Sequence, residues 1–224
     1  MRHGAISLLL ACVLALACVF TSHAAMMPDF LSDAPDETAR EADRFIDASS
    51  YSQALYLWKS PEDVNAWIGA RFTYDMDRAK RLALGRGSES QASVILTPEQ
   101  LFAAPKGICV DLARFGVETV RQTAPELSPR YVRIEFEPAT IGGATLRFHW
   151  LAVFTREGSR YFFADSKRPG YLAGPYASLD AFIKEYALYR QRPVIAFQEL
   201  DTFQRRARPA AIHMRSSGPS PAGR

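Results

Sequence analysis

The chain changes texture at Pro129, and that change restricts the folds open to it. Before Pro129, apolar residues recur at helical spacing behind well-marked helix starts; after it, β-branched and aromatic runs alternate with turns. Ser60-Pro61-Glu62-Asp63 is one such start. Ser60 can cap, Pro61 suits the first helical position, and the acids favour the positive end of the helix dipole. Val64, Trp67, Ile68 and Phe72 follow at helical spacing. Thr97-Pro98-Glu99-Gln100 is a second start, with Thr97 and Gln100 as a capping box and an end near Ala104-Pro105. Gly107 reads as a tight turn. Residues 109–122 read as a third helix, with Leu112, Phe115, Gly116 and Val120 at core spacing and Pro125 and Pro129 as stops. Residues 36–58 suggest one or two short helices. Residues 75–93, charged and carrying Gly85 and Gly87, suggest a mobile loop with one helical turn. Residues 130–137, 145–156 and 160–165 then read as strands. Gly142-Gly143 and Glu157-Gly158-Ser159 supply turns, the second of them a hairpin. Residues 178–190 return to helix with Leu179, Phe182, Ile183 and Tyr186 on one face, and residues 193–200 form a last strand. Helices followed by an antiparallel sheet make an α+β domain.

The N-terminal 24 residues read as a secretory signal. Arg2 and His3 precede an apolar run from Ala5 to Phe20, and Ser22-His23-Ala24 offers the small residues that signal peptidase prefers. The run is short for a membrane span, and Pro28, Asp29, Asp33 and Asp36 beyond it are polar and turn-forming. The expectation is therefore cleavage near residue 25, no stable membrane span afterwards, and a periplasmic or secreted protein. Ala15-Leu16-Ala17-Cys18 loosely resembles a lipidation box, so a lipoprotein is the second reading. Cleavage leaves about 200 residues, enough for one domain, read as residues 25–203. The Pro/Ser/Gly-rich segment 204–224, with Arg205, Arg206, Arg208, Arg215 and Arg224, reads as a disordered tail. A net charge of +3 leaves no nucleic-acid footprint.

Of the three cysteines, Cys12 and Cys18 lie in the signal, which leaves Cys109. A lone thiol in an oxidising compartment is either buried or used. Cys109 opens an apolar-faced helix after Lys106-Gly107, where unpaired N–H groups and the dipole stabilise a thiolate. Free cysteines are also often small buried hydrophobes. His213 falls in the tail and His23 in the signal, so His149 is the remaining base for such a thiol. Taken alone it would be read as a strand histidine satisfied by a carbonyl. Asp165 ends the following strand, and a hairpin centred on Gly158 puts residue 151 opposite residue 165, with His149 diagonal to Asp165. Asp165 is also readable as an exposed strand-end aspartate. Asp111 points away from Cys109 on the helix and reads as structural. Ser166-Lys167-Arg168-Pro169-Gly170-Tyr171 reads as a solvated turn in preference to a cleft wall.

Gly107-Ile108-Cys109-Val110-Asp111-Leu112-Ala113, then His149-Trp150 on a strand, then an aromatic strand ending in Asp165, resembles the transglutaminase-like superfamily of papain-fold thiol enzymes, most closely its exported bacterial members. Phe72-Thr73-Tyr74-Asp75 and the helix at Thr97 fit the lead-in. The resemblance implies a papain-like core with the nucleophile at a helix start packed on an antiparallel sheet. It implies Cys109 as nucleophile, His149 as general base and acid, Asp165 as orienting carboxylate, and no redox cofactor. The backbone N–H of Cys109 is the natural oxyanion donor; Tyr74 is either a second donor or a core tyrosine. Calcium-regulated adhesin proteases of this fold carry acidic residues beside the nucleophile. Ile108 and Val110 stand there in this chain, so no metal is expected. The expected activity is hydrolysis of a peptide or isopeptide amide in a protein or peptide substrate. Protein-glutamine transglutamination and a non-catalytic binding module are the alternatives. Oligomeric state and substrate identity are not legible.

Overall fold

Both helix starts read from the sequence are capping boxes in the computed structural model, which describes residues 33–36, 45–83, 95–141 and 144–203. After a short helix α1 (Tyr51–Leu57), α2 (Pro61–Arg71) starts with Ser60 Oγ accepting the Asp63 N–H at 3.2 Å while Asp63 accepts the Ser60 N–H at 3.0 Å. A two-residue strand β1 (Thr73–Tyr74) leads to α3 (Met76–Ala83). This helix replaces the expected loop: Asp75 accepts the Arg78 N–H at 3.0 Å to start it, and the Arg78 side chain is buried against Asp111. Gly85 and Gly87 lie outside the described residues, as do the turn at 142–143, the leader and the tail. Helix α4 (Pro98–Ala103), capped by Thr97, is followed by β2 (Lys106–Gly107). Gly107 is not a turn: it pairs in parallel with Tyr74, which ties the segment before Cys109 to β1. Then comes α5 (Cys109–Thr123), the longest helix among the described residues.

The sheet is antiparallel and five-stranded. β3 (Arg130–Ile141), β4 (Ala144–Arg156), β5 (Ser159–Phe163), β6 (Ala173–Tyr176) and β7 (Val194–Leu200) lie in the order β6-β5-β4-β3-β7. Glu157 and Gly158, both at positive φ (52° and 77°), form the tight turn between β4 and β5. β4 is central and covered on both faces, so Leu151, Ala152, Val153 and Phe154 are all buried in succession. Ala152 and Phe154 face the N-terminal helices, in a core built on Trp58, Trp67 and Phe115, with Phe102 against it; the Trp67 ring lies 4.8 Å from Phe115 and 5.1 Å from Phe102. Leu151 and Val153 face α6 (Leu179–Arg190), which buries Phe182, Ile183 and Tyr186. The α+β assignment and the placement of Cys109 at the start of a helix packed on an antiparallel sheet match the structure. No helix among the described residues is long and apolar enough to cross a membrane.

The hairpin register differs from expectation by one residue. Ala152 pairs with Phe163 and Arg156 with Ser159, so regular alternation would carry Asp165 to the face of Trp150, away from His149. The chain breaks alternation at Ala164, whose φ is +52°. This left-handed step turns Asp165 onto the side of His149. Gly116 of α5 makes room for it: a Cβ there would lie 2.7 Å from the Ala164 Cβ and 3.1 Å from Phe163 Cε2. Gly116→Ala should therefore cost about 1–3 kcal/mol, the range for overpacking a core, measured by denaturant unfolding. An unchanged midpoint would show that Ala164 yields freely.

Candidate active site

Cys109, His149 and Asp165 come together at the unpaired edge of β4. Pairing with β5 stops at Ala152, so nothing in the sheet flanks His149 and Trp150 on that side. The imidazole is fully buried, stacked at 5.9 Å on Tyr186 of α6, with Nε2 3.0 Å from Asp165 Oδ1. Asp165 is buried too, not an exposed strand end. Its Oδ1 accepts the Lys167 N–H at 2.9 Å and its Oδ2 lies 3.3 Å from Arg168 Nε. Cys109 reaches the same place from the other layer, at the first position of α5, with its thiol within 4.8 Å of the imidazole.

Asp111 anchors this helix start. Its Oδ2 accepts the Ile108 N–H at 2.9 Å, its Oδ1 accepts the Leu96 N–H at 2.8 Å, and Arg78 grips both oxygens. It is buried and turned from the thiol, as a structural residue should be. Tyr74, opposite Gly107, stands close enough to Cys109 and Asp33 to feel both. Burial first, then those two negative charges, push its phenol well above the ordinary value, so it stays a protonated donor.

One participant was not singled out from the sequence. Asp33 Oδ1 sits 3.1 Å from His149 Nδ1 and 2.8 Å from Arg190 Nη2. The nitrogen is at ion-pair distance but makes no hydrogen bond in line, although it is buried. Asp33 belongs to a segment laid along residues 165–167. Ser166 Oγ donates to the Asp33 carbonyl at 3.0 Å, the Asp36 N–H donates to the Lys167 carbonyl at 3.0 Å, and Lys167 Nζ lies 2.7 Å from Asp36 Oδ1. The expected turn at Ser166-Lys167 is present, but it is not solvated. Both residues are buried, because they face the catalytic-side segment on one side and Asp165 on the other. Only a featureless Ser-Asp-Ala-Pro-Asp stretch marks this contact in the sequence, with no periodicity to announce it.

The electrostatics follow from this crowding. Burial works against the charged imidazole of His149, but Tyr186, Asp33 and Asp165 overcome it and hold its pKa well above the usual value. Burial likewise opposes the Asp165 carboxylate, yet the hydrogen bond and charge of His149, with Arg168 and Arg190, keep it well below the usual range. Asp33 is held low against burial by His149 and Arg190. Cys109 moves the other way. Burial and then the charge of Asp33 raise the thiol above its ordinary value, and His149 and the Trp150 backbone N–H only partly offset them. A helix start alone suggests an activated thiolate; burial and Asp33 work against it at this site.

Asp33, Cys109 and His149 bring one ligand atom each within 4.8 Å, a donor set a soft metal would accept. Arg190 already compensates the carboxylate, so the cluster is balanced by protein charges. An open groove of about 610 Å³ is lined by Val110, Arg133, Phe148, Trp150 and Phe203, among others.

The family model described as Transglutaminase-like domain matches residues 55–194. Among solved structures, calcium-bound LapG of Legionella pneumophila is similar, with 16% sequence identity and a TM-score of 0.32. That likeness covers 54% of this chain and 59% of LapG, so the match spans less than two thirds of LapG's length. No curated relative matches. The family match takes in α2, the helix start of Cys109, the strand of His149 and the turn to Asp165, and covers more than half of the chain: the protein belongs to the transglutaminase-like family.

Proposed function

We propose that this protein is an exported thiol-dependent acyl-transfer enzyme that hydrolyses a peptide or isopeptide amide through a thioester on Cys109. The observation that carries the reading is the buried imidazole of His149, held on Nε2 by Asp165 and within 4.8 Å of the thiol at the start of α5. In the first half-reaction, starting from the state in which His149 is neutral, Cys109 Sγ attacks the carbonyl carbon as its proton passes to the imidazole. The tetrahedral oxyanion is met by the Cys109 backbone N–H and by the Tyr74 hydroxyl. Collapse breaks the C–N bond, and His149 returns the proton to the leaving amine. Water then gives its proton to His149 and attacks the thioester, releasing the acid and restoring the thiol. Asp165 keeps the ring oriented and stabilises its charged form throughout. The groove beside Trp150 offers an apolar wall with Arg133 for the acyl portion of a peptide. Export rests on residues 1–24, and the thiol chemistry draws on protein groups alone.

The test is turnover by the full chain on a panel of peptide amides and of glutaminyl peptides with a primary amine. Activity should disappear in Cys109→Ala, fall by at least about 10²-fold in His149→Ala, and be indifferent to EDTA. Turnover that survives Cys109→Ala would overturn the nucleophile assignment. Inhibition by EDTA reversed by calcium would overturn the metal-free mechanism, and product appearing only with the amine would replace hydrolysis by transamidation.

A further inference from the structure

The Asp33–Asp36 segment enters the site as an extended peptide would. It is held to residues 166–167 by one backbone bond, from the Asp36 N–H to the Lys167 carbonyl, and by Ser166 Oγ donating to the Asp33 carbonyl. Its two carboxylates are taken by cations that the fold has buried: Arg190, the last residue of α6, takes Asp33, and Lys167 takes Asp36, with the Tyr189 hydroxyl donating to Asp36 as well. The position of Asp33 is informative. Asp165 supports the imidazolium from Nε2. Asp33 stands at Nδ1, the nitrogen that must take the thiol proton. An anion there substitutes for the thiolate as partner of the imidazolium and repels the thiolate itself. That arrangement opposes attack by Cys109, whereas a residue assisting attack would leave Nδ1 to the thiol.

We propose that Asp33–Asp36 is a built-in occupant of the catalytic cleft, seated through Arg190 and Lys167, and that this cationic seat selects an acidic segment of the substrate once the occupant leaves. The inference rests on Cys109 and His149 being the reacting pair. An incoming acidic peptide competes with the chain's own Asp33 and Asp36 for the same two cations and for the 166–167 backbone. Withdrawal of the segment removes the competing anion and leaves the imidazole to the thiol alone.

The experiment measures the second-order rate of Cys109 alkylation by iodoacetamide at neutral pH on the full-length chain. Asp33→Ala/Asp36→Ala should label about tenfold or more faster than wild type, the gain in thiolate that a one-unit fall in thiol pKa gives. Asp36→Ala alone, which touches Lys167 and Tyr189 but not His149, should also label faster, and it keeps the test available if the double variant unfolds. An acetylated Ser32–Glu37 peptide added to the double variant should slow labelling in a saturable way. The same peptide with asparagine at both positions should not. Variants that label at the wild-type rate or more slowly would overturn the proposal while leaving the thiol enzyme in place, provided labelling still depends on His149. A thiol that labels in no folded form, variant or wild type, would remove both readings.

Discussion

Replacing Asp165 with asparagine should lower turnover by about 10²–10⁴-fold with the domain still folded. The amide can still accept from His149 Nε2 at the present 3.0 Å, so ring orientation survives in part. What is lost is the negative charge that supports the imidazolium and balances Arg168, 3.3 Å from Oδ2. The amide nitrogen would also face a guanidinium or the Lys167 N–H, both of which are donors. A pH signature separates this role from simple packing. The Asp165 carboxyl is held below its usual value, so its charge contributes stability above the unfolded-state pKa of about 3.9, and that contribution is lost as pH falls through the native value. Wild type should therefore lose stability between about pH 4 and the acid limit, and Asp165→Asn should lose less over the same interval. Kinetics with a good amide substrate and denaturant titrations at pH 7 and pH 3 supply the comparison. A drop in melting temperature that accounts for the whole loss of activity would make Asp165 a scaffold residue.

The second large effect is on folding. Asp111→Ala should destabilise the domain by about 3–5 kcal/mol, the cost of removing one member of a buried ion pair. One carboxylate holds the Ile108 N–H, the Leu96 N–H and the Arg78 guanidinium, joining α5, the segment leading into α4, and α3. Asparagine offers a single acceptor oxygen and two unwanted donors, so it should recover only a fraction. Because the Ile108 bond fixes the first turn of α5, alkylation of Cys109 should also lose its dependence on His149 in whatever folded fraction remains. Urea unfolding measures the first effect. A variant within about 1 kcal/mol of wild type would show that Arg78 and the two amides find other partners.

Much of this architecture is legible in residue order because the signals are local. Ser60 with Asp63 and Thr97 with Gln100 fix two helix starts within four residues each. The Glu157-Gly158 pair fixes the hairpin, and the apolar run at 150–154 marks the strand covered on both faces. Cys109 and His149 stand out in the sequence because few thiols and imidazoles compete with them. The geometry joining them to Asp165 does not. The left-handed step at Ala164 depends on Gly116 across the layer, and no window of sequence contains both. Part of the rise in the thiol pKa, after burial itself, comes from Asp33, and the Asp33–Asp36 segment covers Ser166 and Lys167 from more than seventy residues before Cys109 in the chain. Helix α3 was missed because its start is set by Asp75 and its anchoring by Asp111, a tertiary contact that overrides a charged, weakly patterned stretch.

His149 stands on the α6 side of the sheet, against Tyr186, while Cys109 arrives on α5 from the opposite side. The reacting atoms therefore meet only when both halves of the core have condensed onto β4. Neither half carries a partial version of the chemistry, so a nascent chain that has formed its N-terminal helices holds its sulfur without a base. Thiol reactivity that depends on His149 is thus a coincidence signal for complete assembly, and its time course during refolding would date the docking of the second layer onto the first.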